Sequence, residues 1–182
     1  NNKDIAEEIH ALLDRGGLIL GICNGFQALI KLGLVPYGKI VDTDASSPTL
    51  TFNRIGRHQS RYVTTRIASV NSPWLSLVNV GDTHTIPISH GEGRFVCSDE
   101  LLAQLAANGQ IATQYVDFAG QPSMDINHNP NGSCMAIEGI LSPDDRVFGK
   151  MGHSERIGTH IAKNILGEKD QRIFEAGVKY FQ

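Results

Sequence analysis

The sequence predicts an α/β fold, a mostly parallel sheet flanked by helices and interrupted by a β-rich insertion. Three observations predict it. An apolar stripe at helical spacing opens the chain. A short apolar run without alternation follows it and leads directly into a second helical stripe. The middle then turns to period-two alternation punctuated by turn residues. At 182 residues the chain is long enough for one sizeable core, and no linker-like stretch divides it. Residues 1–182 are therefore read as a single domain.

Ile5, Ile9, Leu12 and Leu13 share one helical face, and Gly16-Gly17 ends that helix. Leu18 to Ile22 is the unalternating run, suited to a strand buried on both faces of a parallel sheet. From Asn24 a second helix points Phe26, Leu29 and Ile30 inward, with Gly33 as its C-cap and Pro36 blocking continuation. Arg61 to Val70 alternates as a half-buried strand. Ile86-Pro87-Ile88 and Arg94-Phe95-Val96 flank a tight loop, His90-Gly91-Glu92-Gly93. Ser98 or Asp99 caps a helix ending near Asn108-Gly109, and Ile111 to Val116 reads as a strand. Asn129-Pro130-Asn131-Gly132 is a turn. Met135 to Ile140 and Val147 to Met151 form a hairpin across Ser142-Pro143-Asp144-Asp145, and Ile157 to Leu166 and Arg172 to Phe181 are closing helices.

Composition excludes several classes. Apolar residues make up 41% and charged residues 19%, the balance of an ordered globule rather than a disordered tail. The net charge is −3 with Lys and Arg scattered, so neither nucleic acid nor an acidic membrane is an expected partner. No apolar run reaches membrane-spanning length. Cys23, Cys97 and Cys134 lie far apart without metal-ligand spacing, which argues against a disulfide framework and a structural metal and fits a reducing cytoplasm.

Gly21-Ile22-Cys23-Asn24-Gly25 sits between the buried strand and the second helix. It is the cysteine form of the nucleophile elbow, in which the nucleophile occupies a strained turn and glycines two residues either side relieve crowding. The sulfur then stands over a helix N-terminus, whose free N–H groups favour a thiolate and an adjacent oxyanion. That matters because an ordinary thiol, with a pKa of roughly 8.5, is mostly protonated at neutral pH. Cys97 and Cys134 lack this frame and read as packing residues.

A thiol nucleophile needs a base, and the base needs an orienter. His153-Ser154-Glu155 follows the strand Val147 to Met151, at the end of the sheet where open α/β folds carry their sites. The i, i+2 spacing brings the Glu155 carboxylate beside one ring nitrogen and leaves the other for sulfur. Taken alone, the pair also reads as a helix cap and a surface charge. His90, in His-Gly-Glu-Gly, is the alternative base, and its glycines point to a backbone lying close to a ligand. His10 and His160 fall in expected helices. His58, His84 and His128 have no evident partner.

With both halves in view, the chain resembles the class I, triad-type glutamine amidotransferases. More narrowly it is similar to the glutaminase domain of phosphoribosylformylglycinamidine synthase. The resemblance rests on Gly21-Ile22-Cys23-Asn24-Gly25-Phe26-Gln27, Ser89-His90-Gly91-Glu92-Gly93-Arg94-Phe95, Asn129-Pro130-Asn131-Gly132-Ser133 and Gly152-His153-Ser154-Glu155-Arg156. It implies a flavodoxin-like sheet, a Cys23 nucleophile, His153 as base and acid, and Glu155 as orienter. It also implies an oxyanion donor in the Asn24 N–H, a substrate-holding Gln27, and a His90 loop near the site or the synthetase interface. Ser154 stands where the family often carries proline, and Gln59 near a usual acidic position.

The activity so implied is hydrolysis of glutamine to glutamate and ammonia through a thioester. The ammonia goes to a synthetase, a domain of the same chain or a separate subunit, that makes formylglycinamidine ribonucleotide. ATP and magnesium belong to that partner, and this domain needs no cofactor: it has no G-x-x-x-x-G-K-[ST] loop. Two other readings remain open: a Cys-His hydrolase or peptidase on the same scaffold, and a non-catalytic docking module. The family's domain begins further upstream, with a first strand and a glycine-rich loop carrying the second oxyanion N–H. Residues 1–182 alone are on that ground expected to be a poor glutaminase, since one lost donor costs about 10²–10³ in rate.

Overall fold

The computed structural model describes residues 3–182. Its opening follows the apolar periodicity: helix α1 (Lys3–Asp14), strand β1 (Ile19–Ile22) and helix α2 (Asn24–Leu32). Gly33 ends α2 in the left-handed region at φ 80°, where only glycine sits without strain. As expected, α2 does not continue to Pro36: the short α3 (Leu34–Tyr37) that follows is interrupted at Val35, extended at φ −120°, ψ 134° before the proline. Then come β2 (Thr49–Phe52), β3 (Gln59–Ile67), β4 (Thr83–His90), β5 (Glu92–Val96) and helix α4 (Asp99–Ala107). Ser98 caps α4, its hydroxyl accepting the Leu101 N–H at 3.2 Å. Strands β6 (Ile111–Tyr115), β7 (Ile137–Leu141) and β8 (Val147–Lys150) and helix α5 (Ile173–Lys179) complete the order.

Six strands form one sheet in the order β1-β8-β7-β6-β3-β4, while β2 and β5 pair separately as an antiparallel ribbon. The α/β class and the flanking helices agree with the sequence, but the expectation of a mostly parallel sheet is corrected. Of the pairings in the large sheet only β1 with β8 is parallel. The others (β8 with β7, β7 with β6, β6 with β3, β3 with β4) are antiparallel. For β7 and β8 the reason is local: Ser142-Pro143-Asp144-Asp145 closes a tight hairpin between them, which only antiparallel strands allow. The loop expected at 90–93 shrinks to Gly91, because β4 runs to His90 and β5 starts at Glu92 in the other sheet.

The sheet core is two-sided. Along β7 and β8, Ile137, Ile140, Val147 and the following Met151 pack against α2 and α3 through Phe26, Leu29, Ile30, Leu34 and Val35. Leu141 and Phe148 face the opposite layer with Ile67, Leu75 and Ile173 of α5. Every residue of β7 and β8 is buried, which is why neither shows alternation in sequence.

The expected helix Ile157 to Leu166 is not formed; the segment is a series of turns, and Ala162 has φ 52°. A helix of that length needs a buried face to be stable. Ile161, Ile165 and Leu166 instead stay 47%, 37% and 90% exposed.

The two ends of the six-strand order meet. Cys23 directly follows β1 at one edge, and its sulfur lies 3.9 Å from the Ser89 carbonyl oxygen in β4 at the other edge. His153, three residues past β8, donates its N–H to the Pro87 carbonyl of β4 at 2.9 Å. Right-handed twist has curled the sheet until its edges face one another.

Close approach at β8 yields a stability prediction. A Cβ on Gly149 would stand 2.2 Å from Cδ2 of the fully buried Phe26. Gly149→Ala is expected to destabilise by about 1–3 kcal/mol through overpacking, read as a lower urea midpoint at unchanged m.

Candidate active site

The elbow forms as its glycine frame requires. Cys23 is held at φ 53°, ψ −105°, a strained conformation for a residue with a side chain, between β1 and α2. Its N–H donates to the Lys150 carbonyl at 2.8 Å, extending the parallel β1–β8 pairing, and its carbonyl accepts the Gln27 N–H at 3.1 Å. A Cβ on Gly21 would lie 2.8 Å from the Gly25 carbonyl, so position 21 accepts no larger residue without movement. Burial pushes the Cys23 thiol up from its ordinary value. The Asn24 N–H and the Arg156 charge pull it down, and the Glu155 charge adds to the rise. The sulfur lies within hydrogen-bonding reach of the Ser89 carbonyl oxygen, at 3.9 Å.

His153 and Glu155 meet as the i, i+2 spacing predicts. The Nδ1–H donates to Glu155 Oε1 at 2.6 Å, which leaves Nε2 as the ring's acceptor. Nε2 is buried and has no hydrogen-bond partner among the described residues. The sulfur–imidazole hydrogen bond is therefore not made in this structure. What brings the two groups to one place is β4, whose Pro87 and Ser89 carbonyls, two residues apart, hold the His153 backbone and the Cys23 thiol.

Asn24 and Gln27 occupy the start of α2 as expected. The Asn24 N–H lies against the Cys23 sulfur. Gln27 donates its side-chain amide to the Glu92 carbonyl at 2.8 Å and so ties α2 to the β4–β5 turn.

His90 is 5% exposed, and neither ring nitrogen has a partner among the described residues. Burial first, and then the neighbouring His153 and His58, push it down to about 4, so it is neutral at physiological pH. A Cβ on Gly93 would stand 2.5 Å from its Cε1, so the ring needs glycine there.

The backbone around it is clamped. The His90 carbonyl accepts from Asn53 Nδ2 at 2.8 Å and the Gly91 carbonyl from the Asn53 N–H at 2.9 Å. Gln27 holds Glu92, and Asn131 Nδ2 holds the Gly93 carbonyl at 2.9 Å. Asn131 Nδ2 also reaches the Tyr115 hydroxyl at 2.7 Å. The run Asn129 to Ser133 thus serves the His90 loop.

Sequence reasoning missed the polar layer beneath His153. Lys150 and Glu138 are both fully buried, with Nζ 3.3 Å from Oε1. Burial pushes the Lys150 ammonium down, and the Glu138 and Glu155 charges hold it up. The available signal was one charge in each of two otherwise apolar strands, Ile137-Glu138-Gly139-Ile140-Leu141 and Val147-Phe148-Gly149-Lys150. Among the described residues no group of His, Cys, Asp and Glu is placed to hold a metal ion.

A model of the CobB/CobQ-like glutamine amidotransferase domain matches residues 1–181. The chain is 34% identical over 166 residues to the phosphoribosylformylglycinamidine synthase subunit PurQ of Aquifex aeolicus, covering 91% of this chain and 66% of that protein. To the subunit of the same name from Salinibacter ruber it is 34% identical over 173 residues, 94% of this chain and 66% of that one. The chain thus spans just under two thirds of these relatives' length. The solved structure of PurLQS from Thermotoga maritima superposes with a TM-score of 0.71 at 30% identity, over 98% of this chain and 68% of that chain.

The thiol's surroundings give a pH prediction. The rate of Cys23 alkylation by iodoacetamide should rise with pH to a midpoint above that of a free thiol. Arg156→Gln removes a charge that favours the thiolate, so it should move the midpoint higher still. A midpoint that fell in this variant would contradict the electrostatics described.

Proposed function

The chain belongs to the CobB/CobQ-like glutamine amidotransferase domain family, and we propose that it hydrolyses glutamine to glutamate and ammonia through a thioester on Cys23. One observation carries the reading: a cysteine strained at a strand–helix junction, with the Asn24 N–H on its sulfur and an ordered His153–Glu155 pair brought to it by the same strand.

His153 Nε2 takes the Cys23 proton, and the thiolate attacks the side-chain amide carbon of glutamine. A C–S bond forms, and the carbonyl electron pair moves to oxygen, where the Asn24 N–H can meet it. The intermediate collapses as the C–N bond breaks and the leaving nitrogen takes the proton from His153. Ammonia departs and a glutamyl thioester remains. His153 then takes a proton from water, which attacks the same carbon and releases glutamate and the thiol. Glu155 keeps its hold on Nδ1–H throughout and stabilises the imidazolium.

We assign the ammonia to a synthetase partner that makes formylglycinamidine ribonucleotide with ATP and magnesium, either a separate subunit or a domain of the same protein. The relatives named as synthase subunits support this assignment. No cofactor is assigned to the domain itself. Three free cysteines suit a reducing compartment, and we assign the cytoplasm. Among the described residues no helix is long and apolar enough to cross a membrane.

The test uses the synthase that contains this domain. Cys23→Ala should abolish glutamate release while leaving synthesis from added ammonium salt at the parental rate. Parental glutamate release by this variant would end the proposal. Labelling of Cys23 by a diazoketone analogue of glutamine should be blocked by free glutamine and not by peptides, which separates this activity from a peptidase.

A further inference from the structure

The mechanism above makes no use of the two most deeply buried charges near the site. Their contacts converge on the two residues either side of His153, the backbone of Gly152 and the hydroxyl of Ser154. Glu138 Oε1 accepts the Gly152 N–H, and Oε2 accepts the Thr113 hydroxyl. Lys150 Nζ donates to the Gly152 carbonyl at 2.8 Å, to Ser154 Oγ at 2.8 Å and to Glu138 Oε1 at 3.3 Å. Those three acceptors match the three N–H donors of an ammonium group. Ser154 in turn donates to Gln171 Oε1, and Gln171 Nε2 reaches Thr65 Oγ1 at 3.4 Å. His153 itself is left with its N–H on Pro87 and its carbonyl on the Arg156 N–H at 3.2 Å. Gly152 is held at both backbone groups, and Ser154 through its hydroxyl.

Stability does not explain this arrangement. A buried ion pair is often no more stabilising than well-packed apolar residues of similar volume, because desolvation offsets the attraction. What charges supply and methyl groups do not is direction: each bond has a fixed donor, acceptor and angle. A general base must also be held close to its productive position.

We propose that the Glu138–Lys150 pair is a positioning device for the catalytic base, setting the His153 imidazole against Cys23 through the Gly152 peptide and the Ser154 hydroxyl. The proposal rests on the glutaminase reading given above. Glu138 and Lys150 touch no reacting atom; they act through the loop they hold. Glu155 fixes the ring from its exposed side, and the ion pair fixes the backbone from below.

The test compares the parent synthase with Lys150→Met, Glu138→Gln/Lys150→Met and His153→Ala. It reads thermal midpoint, kcat and KM for glutamine, and the rate of Cys23 alkylation by chloroacetamide at neutral pH. Lys150→Met strands a buried carboxylate and should lose both stability and kcat. The double variant removes both charges, so its thermal midpoint should return towards the parent's. Its kcat should nevertheless stay lower by about 10²-fold, the scale of an ångström-sized misplacement, with KM within about twofold. Its alkylation rate should fall to that of His153→Ala. Recovery of kcat and alkylation together with the midpoint would show a merely structural pair and overturn the proposal. So would equal alkylation rates in the parent and His153→Ala, since no imidazole would then stand against Cys23 to be positioned.

If the double variant does not fold, Ser154→Ala carries the test, because it leaves both charges paired. A kcat reduced by about tenfold at unchanged KM supports the proposal, and a parental kcat overturns it. If the parent releases no glutamate, the glutaminase reading fails on its own, and alkylation still decides the role of the pair.

Discussion

The site depends on the outward edge of one strand. β4 ends the six-stranded sheet, and such an edge presents unpaired N–H and C=O groups that must be managed. Here three alternate residues face away from β3, and each is bonded to something else. The Thr85 N–H donates to the Glu168 carbonyl at 2.6 Å, Pro87 receives His153, and Ser89 receives the Cys23 thiol. Pro87 has no N–H to waste at that position, so proline is harmless where a central strand would reject it. The spacing of alternate residues along an extended strand, about 6–7 Å, sets how far the backbone of the base lies from the nucleophile's anchor. Two stretches distant in sequence are aligned by a third that does no chemistry.

The second constraint is the need to satisfy buried carbonyls where the chain leaves regular pairing. Four successive carbonyls, from His90 to Gly93, find donors in Asn53, Gln27 and Asn131. Side-chain amides suit this work because they reach across a turn and carry two donors. The clamp keeps His90 buried and neutral beside His153. A charged ring at that place would oppose protonation of the base at the moment it takes the thiol proton. Burial that depresses His90 therefore keeps a second positive charge away from His153.

Local chemistry was legible in the sequence; pairing between distant strands was not. The elbow, the His153–Glu155 contact, the α2 stripe and its Gly33 cap all arise within a few residues, and periodicity and capping predict them. The direction of the sheet was misread because a run such as Leu18 to Ile22 reports burial on two faces, not the orientation of its neighbours. Ile157 to Leu166 misled in the opposite way: its isoleucines have helical spacing, but none of them is fully buried. β2 is four residues long and alternates too briefly to be recognised. The Glu138–Lys150 pair was hidden because its two members lie on adjacent antiparallel strands, where only the register, with Gly139 opposite Lys150, brings them together.

The state of the nucleophile follows from the same geometry. A cysteine standing over a helix N-terminus is commonly taken to rest as a thiolate, and the Asn24 N–H does act in that direction. Burial outweighs it and pushes the thiol up from its ordinary value. The sulfur finds an acceptor in Ser89, while Nε2 of His153 has no partner among the described residues. In this geometry the sulfur and the imidazole are anchored separately, one to Ser89 and the other through Glu155. The burden of catalysis thus falls on how firmly residues 152 to 154 are held, and that firmness comes from groups buried beneath the loop.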